Sequence, residues 1–164
     1  MTHDLGGTRV SIDEPEGVLR RAAQLARERN VEILVADARA VFGRDHLESA
    51  ALHAERAKEH GTMSTRSLAM ETLLYLSGHR QVSDAIAVAG IRRGTEALAI
   101  VVFGNVRAGE AIAAMGWTPE VNVLDALPKD PSVLGLTEAE RSTVPKERWP
   151  DLALERVALL DVEK

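Results

Sequence analysis

Apolar positions along this chain keep two rhythms. Val18, Leu19, Ala22 and Leu25 recur every three or four residues and predict a helix opened by Pro15 and ended by Asn30. Val31 to Ala36 is an almost unbroken apolar run between Asn30 and Asp37, the pattern of a buried strand. Ala97 to Phe103 repeats that pattern more strongly, with several β-branched residues and a glycine on either side. Gly7 to Ile12 predicts an edge strand ahead of the first helix. Asp45, with Glu48 three residues on, predicts a capping box for a helix that runs to His60, where Gly61 stops it.

From Thr65 or Ser67 the set Leu68, Met70, Leu73, Leu74 and Leu76 is too wide for a half-exposed helix and predicts a central, mostly buried one. Ser77 and Gly78 break it, and Gln81 to Ala89 resumes as a short helix with Val82, Ala85, Ile86 and Ala89 on one face, closed by Gly90. Arg107 to Met115 predicts a further helix. Prolines at 119, 128, 131, 145 and 150 exclude long regular elements between Trp117 and Pro150 and leave loops with short helical turns. Ala153 to Val162 is ambiguous by period and is read as a helix end passing into a terminal strand at Val157 to Val162. The sum is an α/β fold, one compact domain over residues 1–164. Strands near Val10, Leu34, Ile100 and Leu159 form a mixed, mainly antiparallel sheet packed with helices.

Composition narrows the function classes. The chain has 164 residues, 45% of them hydrophobic, enough for one core, and no cysteine, so disulfides and thiolate metal sites are ruled out. Its apolar runs are far shorter than the roughly 20 residues of a membrane helix, and together these features predict a soluble, cytoplasmic protein. A net charge of -5 argues against generic nucleic-acid binding. The middle is different: Leu52 to Arg93 holds six basic residues against four acidic ones. Lysine occurs only at 58, 129, 146 and 164, a bias compatible with a GC-rich and salt-adapted source, where recognition leans on stacking and directed hydrogen bonds.

Catalytic motifs are absent. His46, His53 and His60 recur every seven residues, but neighbours two turns apart stand roughly 10 Å from one another. A shared zinc needs its ligands within about 2.1 Å of itself. They are read as surface histidines on a solvated face. No nucleophile elbow or phosphate-binding loop occurs, and carboxylate pairs such as Glu138 and Glu140 lie in polar sequence. No catalytic residue, cofactor or metal ligand is assigned. What remains is the polar elbow Ser77-Gly78-His79-Arg80-Gln81 between two helices. Arg, Gln and His can hydrogen-bond and stack on the unpaired bases of an RNA end. On the residues alone the favoured reading is a helix–helix turn in which Arg80 pairs with a carboxylate and Gln81 caps the next helix.

The run from Met63 to Ile91, above all Ser77-Gly78-x-Arg80-Gln81-Val82 followed by Ala85-Ile86 and Gly90, resembles the signature of the kinase-binding regulatory subunit family of the KEOPS complex. Ala153 to Val162 is similar to that family's closing helix and strand. The resemblance implies a non-catalytic adaptor that binds the complex's atypical kinase/ATPase through an apolar patch. It also implies recruitment of tRNA by its 3′ CCA end for threonylcarbamoylation of the adenosine at tRNA position 37. Carried over residue by residue, it implies RNA contacts from Ser77, Gly78, His79, Arg80 and Gln81, and from Arg66 and Ser67 at the start of the preceding helix. Arg92 and Arg93, just past the signature, would add phosphate contacts. His79 stands where the family has glutamine. Two alternatives remain: a kinase-docking protein without RNA affinity, and a small-molecule enzyme with Asp84 or Glu71 beside His79 in a cleft.

Overall fold

The computed structural model describes residues 2–164. Its centre is β3 (Ala97–Phe103), flanked by β1 (His3–Arg9) and β2 (Glu32–Asp37) in the order β1-β3-β2, with both pairings antiparallel. Successive side chains of β3 enter different cores. Ala99, Val101 and Phe103 join the larger cluster, while Leu98, Ile100 and Val102 join the smaller one. That two-sided burial is why β3 reads as a continuous apolar run rather than an alternating one.

On one face lie α1 (Pro15–Arg29) and α5 (Ala108–Ala114). On the other, α2 (Arg44–Glu59), α3 (Leu68–Ser77) and α7 (Trp149–Glu163) pack together, and α4 (Val82–Ala89) leans on α3. The proline-rich stretch forms short 3-10 turns and the four-residue α6 (Glu138–Arg141), as expected.

Helix α3 is the keystone of the larger core. Leu68, Leu73, Leu74, Tyr75 and Leu76 are all buried, and so is Glu71. That carboxylate accepts the backbone N–H groups of Ser64 (3.0 Å) and Thr65 (2.9 Å) and the Thr65 hydroxyl (2.8 Å), and it pairs with Lys164. Burial alone would raise its pKa, yet these donors and the ammonium together lower it. Glu71 thus ties the lead-in to α3 onto the helix itself.

Four expectations need correction. The first strand is His3–Arg9, not Gly7 to Ile12, because Gly6 and Gly7 serve close approach rather than marking a strand start. A Cβ at Gly7 would sit 2.4 Å from Val123 Cγ2, and one at Gly6 would sit 2.9 Å from Ala108 Cβ. The terminal strand at Val157 to Val162 does not exist. Ala153, Val157 and Leu160 form the buried stripe of α7, whose first turn accommodates Pro150. There is no capping box at Asp45, since α2 starts from Gly43 and Asp45 already lies in its first turn. The histidines do not share a solvated face. His53 is partly buried against the Tyr75 ring, at 5.3 Å between centroids, and His46 is fully enclosed.

His46 Nδ1 accepts the Phe42 N–H at 3.0 Å, which bends the chain into α2, while its Nε2 has no hydrogen-bond partner. Burial, offset only in part by the nearby Leu76 carbonyl and reinforced by the charge of Lys129, lowers its pKa to about 4, so the folded chain keeps it neutral. The unfolded chain takes up the proton near the ordinary value of about 6.5, so stability is lost as pH falls between those two values. His46 should therefore contribute roughly 2 kcal/mol of destabilisation between pH 7 and pH 5. Urea unfolding of the wild type and of His46→Gln at both pH values checks this, and an equal pH dependence in the two proteins would contradict it.

Candidate functional site

The elbow is built from the end of α3 outward. Gly78 adopts φ 75°, the left-handed conformation that terminates a helix, and its N–H donates to the Leu74 carbonyl at 2.9 Å. The His79 N–H reaches the same carbonyl at 3.2 Å. Ser77 is 2% exposed; its hydroxyl donates to the Leu74 carbonyl (3.1 Å) and accepts from the His79 N–H (3.2 Å). Both groups serve the turn. Gly78 also lies against α7, where a Cβ would meet Arg156 Cβ at 3.4 Å, and Arg156 is itself held by Glu140 at 2.9 Å. The elbow is clamped from behind.

What the clamp presents is uncommitted. His79 is half-buried, whereas Arg80 and Gln81 are exposed. Gln81 occupies the N-cap position of α4 but makes no side-chain capping bond. Among the described residues, Arg80 pairs with no carboxylate. The two structural roles open to these side chains, ion pair and cap, are both unfilled. Beside them Val82 (39% exposed) and Ile86 (45%) stand in solvent, while Ala85 and Ala89 go into the core, so only half of the apolar face expected of α4 is buried.

The nine expected contact residues fall in three places rather than one. Arg66 is exposed before α3, and Ser67 caps that helix by accepting the Met70 N–H at 3.1 Å. The ten residues of α3 put them about 15 Å from the elbow at 1.5 Å per residue. Arg92 and Arg93 follow the other end of α4, whose eight residues span about 12 Å, and they open on a separate groove. Sequence reasoning had no signal for that groove, because its other cations, Arg9, Arg39 and Lys129, come from distant parts of the chain. Of the two carboxylates considered beside His79, Glu71 is occupied by Ser64, Thr65 and Lys164, and Asp84 is exposed.

The model of the family described as kinase binding protein CGI-121 matches residues 14–125 of the 164, from the start of α1 through the turn at Val121–Leu124. The elbow lies inside the match; β1 and α7 lie outside it. No curated protein matches the chain.

The turn geometry predicts which substitutions here are structural. Gly78→Ala should cost about 1 kcal/mol or more, from the left-handed backbone. Ser77→Ala should cost about 1 kcal/mol through its two lost hydrogen bonds. Thermal melts check both. A Gly78→Ala protein as stable as the wild type would contradict the assignment of Gly78 as the helix stop.

Proposed function

Because the chain belongs to the CGI-121 family of kinase-binding proteins, we propose that it is the non-catalytic regulatory subunit of a KEOPS-type assembly. In this reading it docks on the assembly's small atypical kinase/ATPase and recruits substrate tRNA through the unpaired 3′ CCA end, for threonylcarbamoylation carried out by another subunit. The family match supports the kinase partner. The RNA role rests on one observation: Arg80 and Gln81 project from a rigid turn with no structural task of their own.

Chemically the elbow suits a single-stranded end. The Arg80 guanidinium can stack on a base or grip a phosphate, Gln81 offers a donor and an acceptor to a base edge, and the His79 ring adds a stacking surface. Few phosphates need be touched, which suits a chain whose net charge is -5. Ser77, Gly78 and Ser67 hold backbone in place, and Arg66 lies far enough along α3 to meet a different part of the RNA. The acidic total favours one competing reading, a kinase-docking protein that binds no RNA.

Arg80→Ala should weaken tRNA binding about tenfold, the loss of one charge-assisted contact, and leave the melting curve and kinase pull-down unchanged. Arg66→Ala should weaken it less. Unchanged tRNA affinity in a normally folded Arg80→Ala protein would remove the elbow from the RNA site.

A further inference from the structure

Arg92 and Arg93, just past the family signature, face a groove of about 500 Å³ at the far end of α4. Five cationic side chains line it against two carboxylates, Glu96 and Asp125, in a chain whose total is -5. The cations converge from separate segments: Arg9 at the end of β1, Arg39 after β2, the Arg92–Arg93 turn, and Lys129 in the proline-rich loop.

The wall is ordered from beneath. Asp37, 1% exposed, accepts the Arg39 backbone N–H (3.0 Å), Arg39 Nε (3.1 Å) and the Thr95 hydroxyl (3.1 Å), and Thr95 Oγ1 in turn accepts the Arg92 N–H at 3.0 Å. The far edge of the Arg39 guanidinium is left to face outward. Lys129 is half-buried, its ammonium held by the carbonyls of Val41 (2.7 Å) and Val123 (2.5 Å), so one of its three donors remains uncommitted. Among the described residues, Arg92, Arg93 and Lys129 have no carboxylate within ion-pair distance. The Arg92 guanidinium donates to the Ala87 carbonyl at 3.0 Å, and Asp37 and Asp125 lie near enough to Lys129 to favour its charge, so Arg93 is the least committed cation and the groove as a whole keeps an excess of positive charge, five cations to two carboxylates.

We propose that this groove binds a small phosphate-bearing ligand of about mononucleotide size, with Arg39, Arg92, Arg93 and Lys129 on the phosphate and Leu127 and Pro128 against its apolar part. The volume is within the range of small-ligand sites, and Leu127, 49% exposed, supplies an apolar rim. A long polyanion would feel the acidic remainder of the surface, whereas a small one senses charge only within a Debye length of about 10 Å. Burial holds Lys129 down to about 8, and a bound phosphate would restore its charged form at higher pH.

The test is an NMR titration of the whole chain with adenosine 5′-monophosphate, inorganic phosphate, adenosine and a CCA trinucleotide that lacks terminal phosphates and carries only its two phosphodiesters. Adenosine monophosphate should give saturable shifts at the amides of Arg93 to Glu96, Asp125 to Leu127 and Lys129. Phosphate should act more weakly at the same amides, and adenosine should give none. Arg93→Glu, at an exposed position that leaves the fold alone, should weaken the nucleotide at least about tenfold, and Lys129→Gln should do likewise. The proposal is overturned by adenosine binding as well as its monophosphate, by full affinity in Arg93→Glu, or by absence of saturable shifts. It is equally overturned if the trinucleotide alone perturbs the groove, which would assign it to RNA. The elbow reading is scored separately, by trinucleotide shifts at Arg80 and Gln81.

Discussion

Burial of β3 on both faces is the constraint from which the rest of the molecule follows. A strand whose alternate side chains enter two different cores must be covered by helices on either side, and only apolar residues can fill it. On one side α1 and α5 suffice. On the other the larger core needs α2, α3 and α7, and α3 ends up buried almost all round. A helix so enclosed has to stop abruptly, and it does so at Gly78, backed by Arg156 of α7. The polar elbow is therefore where a fully committed helix is forced out to the surface, and its rigidity is inherited from the core beneath it.

That same enclosure explains the buried ionic groups. Glu71 and Asp37 are both buried, and each accepts backbone N–H groups from the segment it anchors. A buried carboxylate bonded this way specifies where a loop attaches, at the cost of depending on every partner being present. Their neighbours are consequently fixed, which is what leaves Arg39 with one edge outward and the lead-in to α3 in a set path.

Much of this was legible in the chain. Runs such as Leu34 and Ile100 with their neighbours marked β2 and β3, and the width of the Leu68 to Leu76 set marked α3 as central, because burial of an entire element leaves an unmistakable hydrophobic record. The break at the elbow was legible too, since Ser77 and Gly78 are a helix stop, but the sequence left Arg80 free to pair with a carboxylate and Gln81 to cap the next helix, and only the structure shows both roles unfilled. The misses share a cause: they depend on contacts between residues far apart. Gly6 and Gly7 look like a strand boundary until Ala108 and Val123 are seen against them. His46 looks like a surface histidine until Phe42 and α3 close over it. Ala153 to Val162 is ambiguous by period, and only packing of Ala153, Val157 and Leu160 against the core decides for helix over the terminal strand expected at Val157 to Val162. Proximity of Arg9, Arg39 and Lys129 to Arg93 is likewise invisible in a linear chain.

The functional account joins a family assignment that names a kinase partner to a surface that offers directed donors on a rigid turn. Its central claim is that the turn reads an unpaired RNA end rather than serving the fold alone. The most direct measurement compares binding of the purified chain to intact tRNA and to the same tRNA lacking its 3′ CCA, at one fixed salt concentration. The account predicts that affinity falls to background when CCA is removed; equal affinity for both RNAs, or none for either, would contradict it.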